Sequence, residues 1–189
     1  MSTTSSVDAI VSGLPPSDEC PIAFPLLEEL DHPILLRGIA YWRGLCAGRK
    51  YPVRSDVTLR GLVSLLHNTL LLRVIDGGRD YEYRFEGDAH VQAHGIGIQG
   101  KLWSEISANA SSLRQLNKVV YDRVVADAAP VAVLGWLESD SQHWESFYRQ
   151  SVYLPLGPPD GTVEHILGFS VYLPRPIQGQ LQESASRHL

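Results

Sequence analysis

Asp76-Gly77-Gly78 separates an apolar run, Leu70 to Ile75, from the strictly alternating segment Tyr81-Glu82-Tyr83-Arg84-Phe85-Glu86. Turn chemistry between two such segments predicts a β-hairpin. The hairpin constrains the rest of the chain, because strands joined by a tight turn pair antiparallel. Three more strands are predicted at 131–138, 145–156 and 163–173. They are joined by Ser139-Asp140-Ser141 and by Gly157-Pro158-Pro159-Asp160-Gly161, both rich in turn formers. Between the two strand groups lies a predicted helix, Asn109 to Ala128, carrying Leu113, Leu116, Val120 and Val124 along one stripe and closed by Pro130. Residues 87–108 are Gly-rich, with room for short helices around Val91 and Trp103.

Upstream, a helix is predicted to begin near Asp31 or His32, with Pro33 in its first turn. It lines up Leu35, Ile39, Trp42 and Cys46. A second short helix fits Thr58 to His67, capped by Thr58, with Leu59, Leu62, Val63 and Leu66 inward. The order of elements implies an α+β architecture, an antiparallel sheet with helices on one face. The last strands carry apolar groups on both faces, Trp144, Tyr148 and Val152 on one and Phe147 and Tyr153 on the other. The sheet's outer face therefore needs a cover, and the Leu35/Ile39/Trp42 helix is the candidate. The chain divides into a Ser/Thr/Pro-rich leader (1–29), an N-terminal helical extension (30–68), a sheet domain (69–173) and a polar tail (174–189).

Charge and composition narrow the function classes. Twenty-one acidic residues against 16 basic ones give a net charge of −5, which speaks against a nucleic-acid binder. No stretch approaches the roughly 18 apolar residues of a membrane span. The N-terminus lacks the basic start and apolar run of a signal peptide. Cys20 and Cys46 make no disulfide framework. The expectation is a soluble, cytoplasmic protein.

This order of elements is similar to that of PAS domains, sensory modules with a five-stranded antiparallel sheet and a cavity under a long helix. More specifically, YWRGLCAGRKYPVRSD (41–56) and YEYRFEGDAHVQAHG (81–95), followed by Gly100-Lys101-x-Trp103, resemble a bacterial stand-alone PAS-like family known mainly from alphaproteobacteria. The matching positions are Trp42, Arg43, Leu45, Pro52, Arg54 and Asp56, then the Tyr-Arg-x-x-Gly strand and the helix ending at Gly95. The resemblance covers about residues 30–173. The family usually follows that glycine with Arg-Asp, whereas this chain has Ile96-Gly97, so no polar role carries over there. The resemblance implies signal sensing or protein–protein contact rather than a named ligand.

Other motifs carry less. Gly95-Ile96-Gly97-Ile98-Gln99-Gly100 spells GxGxxG, but no buried strand precedes it and no βαβ unit follows. A loop beside the cavity is the simpler reading. His90 and His94 share a helical face with Glu86 and Asp88 nearby, yet no clear third metal ligand appears. A cavity-edge role suits His94 better, and no metal site is assigned. Those members of the resembled PAS class that bind haem ligate it from a histidine on the long helix, which here holds none, and those with photoactive flavin use a cysteine near the short central helices. Cys20 and Cys46 both precede the first strand, so the residues speak against either cofactor, and the cofactor is left unassigned. Ser170 lacks the second glycine of a nucleophile elbow, and His165 and Asp160 read as strand and turn residues.

The expectation is thus a PAS-like sensory or interaction module without catalytic activity. Its cavity candidates are Tyr83, Phe85, His94, Trp103, Leu116, Val120, Val124, Trp136 and Tyr148. Leu35, Ile39 and Trp42 are the candidate face for a homodimer or a signalling partner. An unidentified small molecule is the candidate ligand. The alternative is a small enzyme or carrier acting on a hydrophobic molecule in the same cavity, for which Arg84, His90 and His94 would supply the polar groups.

Overall fold

The computed structural model describes residues 23–107, 112–137, 147–159 and 161–174. Most of the leader, Ser139-Asp140-Ser141, Trp144, Asp160 and the tail beyond Pro174 lie outside the described residues. Five helices and five strands carry the argument: α1 (Pro33–Cys46), α2 (Leu59–Leu62), β1 (Thr69–Ile75), β2 (Asp80–Glu86), α3 (Asp88–His94), α4 (Trp103–Ser107), α5 (Ser112–Asp127), β3 (Val131–Leu137), β4 (Phe147–Leu156) and β5 (His165–Pro174). The strands form one antiparallel sheet in the order β2-β1-β5-β4-β3. The α+β expectation holds, and the hairpin is β1–β2.

Local chemistry accounts for the boundaries. His32 caps α1 by accepting the Ile34 amide at Nδ1, with Pro33 at the first helical position. Thr58 Oγ1 caps α2 by accepting the Gly61 amide. That helix closes after four residues rather than reaching His67. As a result Leu59 and Val63, expected inward, are 70% and 72% exposed, because one turn of helix fixes only Leu62 against the core.

Alternation along β5 divides the sheet into two faces. Gly168 sits against Tyr153 and Leu70 on the side of α3, α4 and α5, and Ser170 and Tyr172 follow it there. Phe169 faces the other way, onto Gly38 of α1, where an added Cβ would stand 2.4 Å from the Phe169 ring. So α1 covers the outer face, as the sequence suggested, and Gly38 is what lets it lie so close. Trp42 seals this layer by donating its indole N–H to the Pro155 carbonyl at 2.8 Å.

That packing corrects the expected partner face. Leu35, Ile39 and Trp42 are 0%, 4% and 6% exposed within the single chain. These side chains are already buried against the chain's own sheet, so they present almost no surface to a second subunit. At the opposite edge, Ala23 pairs with Leu134 through two backbone hydrogen bonds and covers part of β3. No helix among the described residues is long and apolar enough to cross a membrane.

Candidate functional site

The inner face of the sheet and the helices α3, α4 and α5 enclose a pocket. Strict alternation in β2 would send Tyr81, Tyr83 and Phe85 inward and Glu86 out. The observed register breaks between Leu71 and Leu72: Leu72 pairs with Tyr83 and Leu71 with Phe85, leaving Arg84 as the extra residue of a β-bulge. Past the bulge the faces exchange. Glu86 therefore enters the pocket, whereas Phe85, a sequence candidate for it, lies in a groove on the outer face. Gly87 then turns the chain into α3 against Leu66 and His67. A Cβ there would stand 2.2 Å from the Leu66 carbonyl oxygen, so no larger residue fits this approach.

Tyrosines dominate the pocket wall. Tyr83, Tyr121, Tyr153 and Tyr172 all line it, and Tyr121 packs edge-on against Tyr81 and Tyr153 with ring centroids 5.2 and 5.4 Å apart. Burial raises the Tyr121 and Tyr172 hydroxyls well above the ordinary phenol range, so both act as neutral hydrogen-bonding groups. Helix α5 is fixed over this wall from outside. Lys118 Nζ meets both Asp122 oxygens at 2.9 Å, and Asp122 Oδ1 accepts the Tyr81 hydroxyl at 2.6 Å.

Three ionisable groups lie behind the tyrosines. His90 is buried, with Nε2 3.2 Å from the Asn68 carbonyl oxygen and Nδ1 2.9 Å from the Tyr172 hydroxyl. A carbonyl only accepts, so this geometry assigns the proton to Nε2 and leaves Nδ1 accepting from Tyr172. Burial, reinforced by Arg149, pushes the His90 pKa down to about 4. Arg149 is itself buried and donates to Asn117 Oδ1 at 2.7 Å. Glu86 accepts the Ile98 amide at Oε2, 2.7 Å away. Its Oε1 is buried with no hydrogen-bond partner. Burial raises the Glu86 pKa, partly offset by the Ile98 and Gln99 backbone groups.

The space these groups enclose is about 30 Å³, close to the volume of one water molecule. Among the sequence candidates, Tyr83, His94 and Trp103 line the pocket. Val120 and Val124 are fully buried as core under α5 but do not line it. The side chains of Leu116, Trp136 and Tyr148 lie outside what is described. His90, named as a polar group of the cavity only in the enzyme or carrier alternative, lines the pocket, whereas Arg84 from the same set does not; Glu86, Asn117 and Arg149 were not among the predicted cavity residues. An acidic residue directly before the tightly packed Gly87 was the one available sequence signal.

The remaining motifs resolve simply. His90 and His94 both abut the Tyr172 ring, 5.6 and 6.0 Å between centroids, and both His90 nitrogens are engaged. The GxGxxG segment is the α3–α4 loop, tied to β2 by Gly100 donating to the Tyr83 carbonyl at 2.7 Å. Its Ile96 and Ile98 close the pocket. Ser170 hydrogen-bonds Ser151 on the inner face, whereas His165 lies on the outer face, so the two cannot share a reaction centre. The Cys46 thiol donates to the Trp42 carbonyl within α1, on the far side of the sheet.

A PAS domain family model matches residues 30–171. Among solved structures, the PAS domain of BvgS from Bordetella pertussis is similar at 15% identity and TM-score 0.46, over 68% of this chain and 94% of that one. A light-oxygen-voltage domain studied with a flavin analogue is similar at 10% identity and TM-score 0.45, over 69% of this chain and 95% of that one. An RNA-binding light-oxygen-voltage receptor is similar at 15% identity and TM-score 0.47, over 89% of this chain and 42% of that one. No curated protein matches the sequence.

Proposed function

The chain belongs to the PAS domain family, and from that premise we propose that it is a sensory and interaction module of signal transduction that binds a small polar molecule beneath α5, without catalytic activity. The observation that carries this reading is the buried, unpartnered Oε1 of Glu86 in the same pocket as the buried Arg149. A buried polar atom without a partner costs about 1–3 kcal/mol. A ligand that supplies a donor to Glu86 recovers that cost. The site then favours small polar molecules with at least one hydrogen-bond donor over the hydrophobic cargo of the carrier alternative. Because the free space is water-sized, binding moves Trp103 or a tyrosine, and the Lys118–Asp122–Tyr81 contact couples that movement to α5 and β2. Both His90 nitrogens already have partners, so His90 serves as a fixed hydrogen-bonding group here.

In this reading residues 69–173 form the sensing domain and 30–68 the extension that covers its outer face. The module works in the cytoplasm of a bacterium, through a protein partner or a second copy of itself. The net charge of −5 supports protein rather than nucleic-acid partners. Native mass spectrometry and an absorbance spectrum of the purified protein test the proposal. A reproducible mass excess that disappears in Glu86→Gln is the expected result. A bound hydrophobic molecule retained equally by Glu86→Gln, or turnover of an added substrate, would overturn it.

A further inference from the structure

The outer face of the sheet is covered by α1 over only part of its width. Beside it, toward the β2 edge, a groove of about 450 Å³ opens between α2 and the sheet. Its floor is Leu71, Phe85 and Leu167, and one wall is Leu59 and Leu62. This volume lies in the range of small-molecule sites, fifteen-fold larger than the space beneath α5. Leu59, at its lip, is 70% exposed. Apolar surface of that kind beside a concavity marks a contact site.

Charge selects the occupant. Arg54, Arg84 and His165 line the same groove. Around His165, Arg54, Arg73 and Arg84 are set against Glu82. Glu82 is shared between Arg73 and Arg84, at 2.7 Å from each, so the cationic surplus stands although the chain as a whole is acidic. His165 Nδ1 is buried and has no hydrogen-bond partner. An apolar floor and two guanidinium groups share one concave site. We propose that this groove binds an amphipathic anion, its carboxylate held by Arg84 with Arg54 beside it and its hydrocarbon body laid along Leu71, Phe85 and Leu167. The concavity suits one small molecule better than a flat macromolecular partner. This site is separate from the tyrosine pocket, and either proposal can fail without the other.

Calorimetric titration of the full chain with decanoate, below its micelle concentration, tests it. One saturable site per chain is expected. Arg84→Gln weakens binding about tenfold, the loss of one charge-assisted hydrogen bond, and Leu59→Asp does so at least as strongly. Both positions are exposed, and a circular dichroism spectrum checks that the fold survives. Decanol and acetate each bind at least tenfold more weakly than decanoate, whereas Glu86→Gln, on the other face, binds decanoate like the wild type. Absence of saturable binding, equal affinity for decanol, or indifference to Arg84→Gln would each overturn the proposal. So would a chain that ignores decanoate but changes from dimer to monomer on Leu59→Asp, since the groove's occupant would then be a second copy.

Discussion

The two faces of one sheet are packed by opposite rules. Where α1 lies on the outer face, the contact is dry and close: the Phe169 ring against Gly38, with Leu35 and Ile39 buried and the Trp42 indole bonded to a strand carbonyl. The inner face buries Glu86, His90 and Arg149 among tyrosines, groups that cost free energy to desolvate. Apolar packing of the first kind stabilises a fold. Buried ionisable groups of the second kind are tolerated where binding needs them. On the function proposed above, the α1 packing supplies stability and the α5 pocket supplies recognition.

Trp42→Ala puts the largest expected effect on the first half of that comparison. It removes a buried ring and its hydrogen bond, and urea unfolding should show a loss of about 3–5 kcal/mol. A Trp42→Ala protein of near wild-type stability would mean that α1 is an accessory layer. Next in size is the pH response of His90. Its folded pKa of about 4 lies below the ordinary 6.5, so between those values the unfolded chain binds the proton and the folded chain does not. Stability is fully present above pH 6.5 and falls as pH drops toward 4, by about 3 kcal/mol. Unfolding series at pH 7 and pH 4 should show that loss shrinking in His90→Gln.

Gly38→Ala tests the closeness of the outer layer. With the Phe169 ring 2.4 Å from the new Cβ, overpacking should cost about 1–3 kcal/mol. Glu86→Gln should act in the opposite sense and more weakly, raising stability at pH 7 by on the order of 1 kcal/mol. The Glu86 pKa is raised on folding, so the carboxyl is best tolerated when protonated, and its contribution is lost as pH rises through the folded value. The gain from Glu86→Gln should therefore vanish near pH 4. A constant gain across that range would show that the carboxyl's charge is not what the pocket resists. Smallest of all, Leu59→Ser at the groove lip should change stability by no more than about 0.5 kcal/mol, because its exposed side chain serves no core contact.

How far the sequence could be read depended on the range of the interactions involved. The hairpin, the start of the first helix near His32, the Thr58 cap and the order of strands and helices rest on contacts within a few residues, and they were legible. The length of α2 was not, because one apolar stripe fits either one helical turn or three, and only contact with the sheet selects between them. Phe85 and Glu86 show the same limit more sharply. The sequence alternates without a break, yet the partner strand accommodates one fewer residue, and that bulge exchanges which of the two is buried. Arg149 gave no local sign of its place behind the tyrosines, since its partner Asn117 lies on α5, 32 positions away.

The sequence by itself determined an antiparallel α+β domain with a covering N-terminal helix, because turn chemistry, capping and hydrophobic period are local and each pointed to the same answer. Only the tertiary structure decided which side chains share the pocket, that Leu35, Ile39 and Trp42 face inward, and that a cationic groove remains open beside α2. Those outcomes depend on strand register and on which surfaces meet across the sheet. A shift of one residue in pairing changes them without altering a single local preference.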